Sequence, residues 1–217
     1  MEYVYLNKEV IYSNIRNLSQ VTFEVTDACN LQCKYCGYGE LYDGYDTRKS
    51  KMLSLEQAYP LLEYLYAHWQ QSDSYRKKTY ISFYGGEPLL NMDFIRGIVG
   101  WIMNHQIPQC DFVFTMTTNG MLLDRYIDYL VEHEFKILVS LDGNKENNGY
   151  RVDFSGRPSF DRVFANVKFV QQYYPDFFRK NVEFNSVLHN LNDYQDIIPF
   201  FQKRSERRED GRIPENA

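Results

Sequence analysis

The segment Thr26-Asp27-Ala28-Cys29-Asn30-Leu31-Gln32-Cys33-Lys34-Tyr35-Cys36-Gly37 decides how the rest of the sequence is interpreted. It holds three of the four cysteines in the spacing C-x-x-x-C-x-x-C, and it directly follows the alternating run Val21-Thr22-Phe23-Glu24-Val25, which is typical of a strand. Three thiolates at the end of a strand can hold a metal centre and leave one position on it open. An open position is typical of a reactive centre, whereas a structural centre is usually closed by four ligands.

The same cysteine spacing also occurs outside open metal centres. Cysteines at i, i+4 and i+7 share one face of an α-helix and can be buried there, but Asn30, Gln32 and Lys34 lie between them and no apolar stripe extends the pattern. A structural zinc site needs a fourth cysteine or histidine nearby, whereas Cys110 and the histidines are scattered. A disulfide framework would leave one of the three cysteines without a partner. Iron–sulfur ligation by the thiolates is therefore the favoured interpretation, with zinc and the helix face as alternatives.

Length and composition limit the class of protein. The 217 residues suit one large domain, or one domain and a fragment of another, and a hydrophobic fraction of 44% is enough for a sizeable core. A net charge of −5 without a basic stripe speaks against a nucleic-acid partner. No apolar run approaches the roughly 20 residues that span a bilayer, so we expect no membrane partner. The few clustered cysteines, and a start unlike a signal peptide, indicate a reducing cytoplasm.

Strands and helices alternate along the chain. The helices are predicted to begin at Ser54, where Ser54 and Gln57 form an S-x-x-Q capping box, and then to run over 92–105, from a cap at Asp124 to about 134, from a cap at Ser159 to about 174, and over 193–204. The predicted strands are Gln20–Val25, Thr79–Tyr84, Asp111–Thr117, Phe135–Leu141 and Val182–Leu188. Five strand–helix units predict an α/β fold with a parallel sheet, either doubly wound or part of a barrel.

Three segments are distinguished. Residues 1–19 are predicted to form an N-terminal strand or hairpin extension, with strands at Tyr3–Leu6 and Val10–Tyr12. Residues 20–204 hold the alternating units. Residues 205–217 carry mixed charges and are predicted to be a disordered tail.

Unusual residues follow three further strands. They are Gly85-Gly86-Glu87-Pro88, Thr117-Thr118-Asn119-Gly120 and Ser140-Leu141-Asp142-Gly143. Each group alone is also ordinary turn chemistry. Because ligands of α/β sheets bind at the carboxyl ends of the strands, the three groups and the cysteines together predict one site.

The chemistry of these residues suits an amino acid as ligand. The glycines would let the backbone approach the ligand without a Cβ in the way. Glu87 can accept a hydrogen bond from an amine, whereas Thr117, Asn119 and Ser140 offer neutral hydrogen bonds. Arg151 can pair with a carboxylate.

The cysteine spacing followed by Gly85-Gly86-Glu87-Pro88 resembles the radical S-adenosylmethionine superfamily. The finer pattern, with Phe83-Tyr84 before Gly-Gly-Glu-Pro-Leu and then Thr-Thr-Asn-Gly and Ser-Leu-Asp-Gly, is similar to the peptide- and protein-modifying branch. That branch includes the anaerobic sulfatase-maturating enzymes and the SPASM-type peptide maturases. The resemblance covers residues 20–190 and implies a partial (β/α) TIM-like barrel of parallel strands. About five of the usual six units are present, so we expect a truncated, N-terminal catalytic part.

The resemblance also implies the cofactors. Cys29, Cys33 and Cys36 would hold three irons of a [4Fe-4S] cluster, and the amine and carboxylate of S-adenosylmethionine would bind the fourth. An electron, supplied by a donor such as a flavodoxin or ferredoxin, would cleave the sulfonium to methionine and a 5′-deoxyadenosyl radical. That radical would abstract hydrogen from a peptide or protein substrate.

Residues of this sequence match the positions that hold S-adenosylmethionine in the family. Tyr35 matches the aromatic residue near the adenine, and Gly85-Gly86-Glu87 matches the segment that receives the methionine amine. Thr117 and Ser140 match positions that contact the ribose or the methionyl part. Asn119 lies in the same cofactor-binding set.

Two further assignments are left with alternatives. Arg151 is the match for the carboxylate partner, and Arg162 is the alternative because the loop 144–150 departs from the family pattern. Asp142 either stabilises its own turn or contacts substrate.

The sequence differs from the family beyond the fifth unit. The further cysteines of SPASM-type members are missing from it, and Cys110 is most simply a buried residue before the third strand. A truncated, non-catalytic module that binds a cluster or a peptide is therefore the alternative function. The two functions differ in whether 5′-deoxyadenosine is released.

Overall fold

The computed structural model describes residues 7–38, 48–72 and 77–205. Five strands form one sheet in the order β1-β2-β3-β4-β5, and all four pairings are parallel. The strands are β1 (Gln20–Thr26), β2 (Lys77–Gly85), β3 (Cys110–Thr118), β4 (Lys136–Ser140) and β5 (Val182–Asn185). A doubly wound sheet reverses its strand order at a switch point, whereas this sheet keeps the order of the chain. The sheet is therefore an open arc of a β/α barrel, and the predicted fold class is confirmed.

Helices precede, connect and follow the strands. They are α1 (Lys8–Arg16), α2 (Leu55–Trp69), α3 (Met92–Asn104), α4 (Leu123–Glu132), α5 (Phe160–Tyr173), α6 (Pro175–Asn181) and α7 (Tyr194–Ser205), with a short 3₁₀ helix at Pro88–Asn91 before α3. Within the described part of the chain, no helix has the length and apolar character needed to cross a membrane.

The start of α2 follows from its sequence. Gln57 N donates to Ser54 Oγ (3.3 Å), and Ser54 N donates to Gln57 Oε1 (3.1 Å), so the predicted capping box is present. Two backbone donors that no helical carbonyl can satisfy are thereby bonded. Pro60 lies inside this helix without ending it.

The two faces of the sheet have different chemistry. In β1, Val21, Phe23 and Val25 are buried against the helices, whereas the residues between them are exposed. The opposite, inner face of the sheet is polar. Ser82 there accepts from Gln20 Nε2 (2.9 Å), and its hydroxyl lies 2.7 Å from Thr115 Oγ1. The apolar face forms the core, and the inner face offers hydrogen bonds instead.

The predicted N-terminal strand at Val10–Tyr12 is wrong, because these residues lie in α1. The side chain of Asn7 accepts from Val10 N (2.9 Å) and caps the helix, which favours helix over strand at this point. The predicted strand Tyr3–Leu6 and residues 206–217 of the predicted tail lie outside the described residues. The division of the chain at residues 19 and 204 stays a prediction.

Two of the predicted helix caps need correction. Asp124 is not a cap, since α4 begins at Leu123 and the Asp124 carboxylate instead binds Arg162 (2.8 Å). Ser159 does precede α5, but its hydroxyl donates to Arg151 O (2.8 Å) rather than capping the helix.

The last units also differ from expectation. Helix α6 was not predicted, although Pro175 at its first turn is a common helix start. Strand β5 is shorter than the predicted Val182–Leu188, because the chain leaves the sheet after Asn185.

Phe83 and Tyr84 are consecutive residues of β2 on opposite faces of the sheet. Substituting each of them tests which face forms the core. Phe83 is 1% exposed and its ring lies 6.3 Å from that of Phe23 and 5.8 Å from that of Phe135, whereas Tyr84 is 56% exposed. We expect Phe83→Ala to lower the free energy of unfolding by about 3–5 kcal/mol, because it removes a packed core ring. Tyr84→Ala should lower it by about 0.5 kcal/mol or less. Urea unfolding measures both, and equal losses would contradict the assignment of the faces.

Candidate functional site

The cysteine loop (residues 29–36) begins directly after β1 and is fixed at its start. Thr26 Oγ1 accepts from Ala28 N (3.0 Å) and donates to Lys51 O (2.7 Å). The carboxylate of Asp27 accepts from Lys49 N (2.9 Å) and Lys51 N (2.6 Å). The segment before α2 therefore lies along the end of β1 and holds the chain as it enters the loop.

The other side of the cysteine loop pairs with the segment 150–152, which follows β4. Gln32 N donates to Val152 O (2.7 Å), and Lys34 N donates to Tyr150 O (3.1 Å). The loop itself contains turns and no helix. The alternative in which the cysteines share a helix face is therefore wrong, and backbone bonds to a distant loop replace the helical ones.

The glycines after β2 let two backbone segments approach each other. Gly86 N donates to Thr26 O (2.7 Å), and Glu87 N donates to Ala28 O (2.8 Å). A Cβ on Gly86 would lie 2.1 Å from Ala28 O, and one on Gly85, whose φ is +130°, would lie 2.3 Å from Thr26 O. The space left by the missing side chains is filled by the backbone that leads into the cysteine loop. The sequence analysis had instead expected a ligand to occupy this space.

Glu87 joins the ends of β2 and β3. Its carboxylate is fully buried; Oε1 accepts from Leu89 N (3.0 Å) and Thr118 Oγ1 (2.8 Å), and Oε2 accepts from Asn119 N (2.7 Å). Burial raises the pKa of Glu87, and these hydrogen bonds oppose the rise. The structure thus gives Glu87 a positioning role, and a contact of the Gly-Gly-Glu segment with a ligand amine stays a prediction.

Asn119 points its side chain at the cysteine loop. Its Nδ2 donates to Asn30 Oδ1 (2.7 Å) and to Cys29 Sγ (3.5 Å), and its Oδ1 accepts from Met121 N (3.0 Å). Cys29 Sγ also accepts from Leu31 N (3.4 Å). The sulfur of Cys29 therefore has a side-chain donor and a backbone donor.

Asp142 is the centre of a buried polar cluster. Its Oδ2 accepts from Tyr35 Oη and from Arg151 Nε (3.1 Å), and its Oδ1 accepts from Val187 N (3.0 Å). Asn148 Oδ1 accepts from the Asp142 N–H (3.2 Å). Of the two roles left open for Asp142, these bonds favour the structural one, since both carboxylate oxygens bind protein groups.

Arg151 is 7% exposed and lies between the Asp142 cluster and the cysteines. Its Nη1 is 4.0 Å from Cys33 Sγ, and its guanidinium lies 5.5 Å from the centre of the Tyr35 ring. Burial is the largest influence on the pKa of Arg151 and works to lower it. The negative charge of Asp142, the Tyr35 and Cys33 groups and the hydrogen bond to Asp142 together outweigh burial, so the pKa is raised and the guanidinium is a cation. The alternative residue, Arg162, instead binds Asp124.

Thr117 and Ser140 lie at the same edge of the sheet. Thr117 is half-buried beside Leu138, and Ser140 is buried beside Asn185. Among the hydrogen bonds of the described residues, neither side chain contacts the cysteine loop. Their predicted contacts with a ligand stay predictions.

Two aromatic residues of the site were not predicted. The ring of His189 stacks on Tyr35 (5.5 Å, 27°) and also contacts Tyr150 (4.7 Å). Its Nε2 lies 3.8 Å from Asp142 Oδ2. His189 follows β5, so the rule that placed ligands at the carboxyl ends of strands would have found it if applied to the fifth strand.

The three thiols of the loop lie near one another. Burial raises the pKa of Cys33 to about 11; the Arg151 charge lowers it, and the thiolates of Cys29 and Cys36 raise it further because they lie nearby. Within the described residues, no group of three or more His, Cys, Asp or Glu side chains could hold a single metal ion. Three neighbouring thiols are a donor set that an iron–sulfur cluster can use, because each thiolate of such a cluster binds a different iron.

Comparison with known proteins gives one family and several relatives. The model of the radical SAM superfamily matches residues 23–203. A cysteine-type anaerobic sulfatase-maturating enzyme of Clostridium novyi (strain NT) is 26% identical over 200 residues, which are 89% of this chain and 50% of the relative. A GTP 3',8-cyclase of Shewanella denitrificans is 32% identical over 154 residues, which are 70% of this chain and 40% of the relative.

The fold is shared with a solved protein. Native anSMEcpe with bound AdoMet and Kp18Cys peptide aligns with a TM-score of 0.66 and 21% identity, over 85% of this chain and 48% of that chain. This chain therefore spans half or less of the length of these relatives.

Two glycines test the contact between β2 and the cysteine loop. We expect Gly86→Ala to lower the free energy of unfolding by about 1–3 kcal/mol or more, because the new methyl group collides with backbone that cannot rotate away. Gly100→Ala is the control: nothing lies within 4 Å of the added Cβ, so alanine in this helix should stabilise by about 0.5–1 kcal/mol. Thermal unfolding measures both, and an unchanged Gly86→Ala variant would contradict the close approach.

Proposed function

Because this chain belongs to the radical S-adenosylmethionine superfamily, we propose that it is the catalytic portion of an enzyme that cleaves S-adenosylmethionine reductively and abstracts hydrogen from a peptide or protein. One observation carries this proposal: the loop with Cys29, Cys33 and Cys36 lies at the carboxyl edge of the sheet, bonded to the segments that follow β2, β3 and β4. The motifs predicted to form one site thus contact one another directly.

The three cysteines would hold a [4Fe-4S] cluster. When bound, the cluster and S-adenosylmethionine supply an electron and the 5′-deoxyadenosyl radical. The thiols must lose their protons on binding, and the raised pKa of Cys33 means that iron has to displace the proton. Because the three cysteines are only half-buried, an electron donor such as a flavodoxin or ferredoxin can approach them.

The other residues of the edge would bind and orient S-adenosylmethionine. Tyr35 lies between two of the cysteines, and its ring is held by Asp142 and His189, so it offers a fixed surface for the adenine. Thr117 and Ser140 supply hydroxyls at the ends of β3 and β4 for the ribose or methionyl part. The Gly85-Gly86-Glu87 segment, whose two glycines are half-buried, would receive the amine.

A peptide is the substrate class that we favour. The supporting observations are the sulfatase-maturating relative and the peptide bound to the solved protein of the same fold. The polar inner face of the sheet, with Gln20, Ser82 and Thr115, offers donors and acceptors that a peptide backbone requires.

We propose that the enzyme works in the cytoplasm. Its partners would be proteins, and it would bind neither nucleic acid nor a membrane.

Two cysteines test the assignment of the cluster. We expect Cys33→Ala to lose the iron–sulfur absorbance after anaerobic reconstitution with iron and sulfide, and to release no 5′-deoxyadenosine when dithionite and S-adenosylmethionine are added. Cys110→Ala is the control, because Cys110 is buried and contacts Thr79 Oγ1 (3.4 Å) rather than the loop. Its absorbance and its 5′-deoxyadenosine release should match those of the unaltered chain.

The outcomes separate the two functions. A folded, unaltered chain without cluster absorbance would contradict the proposed function. A cluster with bound S-adenosylmethionine but no 5′-deoxyadenosine above background would instead support the non-catalytic module.

A further inference from the structure

Resting on the proposed function, we infer that Asn119 and Arg151 direct N–H groups at the sulfurs of Cys29 and Cys33 and thereby raise the reduction potential of the cluster. Both residues were expected from the sequence to contact S-adenosylmethionine. In the structure each of them contacts a cysteine sulfur, and these contacts form without any ligand.

The orientation of the Asn119 amide is fixed by its two other bonds. Its Oδ1 accepts from Met121 N (3.0 Å), and its Nδ2 donates to Asn30 Oδ1 (2.7 Å). A flipped amide would place Nδ2 against the Met121 N–H, so that two donors meet, and Oδ1 against the Asn30 oxygen, so that two acceptors meet. The amide nitrogen therefore faces Cys29 Sγ, at 3.5 Å.

The backbone beneath Asn119 is fixed as well. Asn119 N donates to the fully buried carboxylate of Glu87 (2.7 Å), which in turn accepts from Leu89 N and Thr118 Oγ1. These bonds set the position of the donor relative to the loop before any cofactor binds. A donor held in this way needs no reorganisation when the charge of the cluster changes.

Arg151 adds a positive charge at the second sulfur. Its Nε is bound to Asp142 (3.1 Å), which directs Nη1 towards Cys33 Sγ at 4.0 Å. The pair is almost completely buried, with side-chain exposures of 8% and 0%. Water screens such a charge less than it screens a surface charge. Asp142 opposes Arg151 at Cys33, but the influence of Arg151 on the sulfur is the larger of the two.

Both contacts favour the reduced cluster. Reduction adds one negative charge, part of which lies on the thiolate sulfurs, and N–H donors or a nearby cation stabilise that charge. The expected consequence is a less negative potential for the one-electron couple. A tenfold change in its equilibrium constant corresponds to about 59 mV.

The test is a redox titration of the reconstituted cluster without S-adenosylmethionine, followed by the EPR signal of the reduced form. We expect Asn119→Ala and Arg151→Gln each to shift the equilibrium at least tenfold towards the oxidised cluster, that is, to a more negative potential by about 59 mV or more. Arg151→Lys keeps the charge and should recover part of the shift.

Two control variants separate sulfur contacts from other effects. Thr117→Val changes a polar residue at the same end of β3 whose side chain, among the hydrogen bonds of the described residues, does not reach the cysteines, so the potential without S-adenosylmethionine should not move. Asn30→Ala removes the other acceptor of the Asn119 amide but leaves the donor to Cys29. Asn30 Oδ1 also lies 4.0 Å from Cys29 Sγ, but it accepts from the thiol proton, which a cluster-bound thiolate lacks, so the shift should be under threefold. If Asn119→Ala does not fold, Asn119→Asp retains the acceptor for Met121 N and takes its place, with the same expected direction.

Two results would overturn the inference. One is a potential that is unchanged in the Asn119 and Arg151 variants although their clusters are intact. The other is a shift that appears only with S-adenosylmethionine present, which would mean that these residues act on that ligand alone. A failure of the unaltered chain to form any cluster would contradict the proposed function instead, so the two failures are distinguishable.

Discussion

The approach of the backbone at Gly86 to the backbone at Ala28 is the constraint on which the site depends. The bonds from Gly86 N and Glu87 N reach Thr26, the last residue of β1, and Ala28, just before the cysteine loop. A side chain on Gly86 leaves no room for them. The same turn delivers the Glu87 carboxylate into the core, where it binds Thr118 and Asn119. Three strand ends are therefore connected by backbone and carboxylate bonds alone, without any cofactor.

Much of this fold follows from the sequence. All five strands were predicted to within a few residues, because their signals are local. These signals are alternating or continuous apolar runs and the turn sequences that end them, such as Gly-Gly-Glu-Pro and Thr-Thr-Asn-Gly. The capping box at Ser54 was also found. Two misses occur where local and tertiary preferences compete: Asp124 and Ser159 resemble caps, but their side chains bind Arg162 and the Arg151 carbonyl instead.

The positions of the candidate residues in the fold were predicted better than their contacts. Glu87, Asn119 and Arg151 all lie at the carboxyl edge, as expected. The sequence could not show that the Glu87 carboxylate is fully occupied by hydrogen bonds within the protein. It also could not show that Asn119 and Arg151 contact cysteine sulfurs. A polar side chain at a strand end looks the same in a sequence whether it binds a ligand or another strand end, and only the positions of its neighbours decide. His189 follows β5, so the same strand-end rule predicts its place in the site, whereas its stacking on the distant Tyr35 is not visible in the sequence.

The bonds of the cysteine loop have a consequence for the timing of folding. Cys33 and Arg151 are 118 positions apart, and Tyr35 and Asp142 are 107 apart. Contacts between such distant positions form late, because the intervening chain must be ordered first. A ribosome therefore releases the thiols long before it releases the residues that enclose them. During that interval the thiols are open to oxidation, because the residues that enclose them are not yet present.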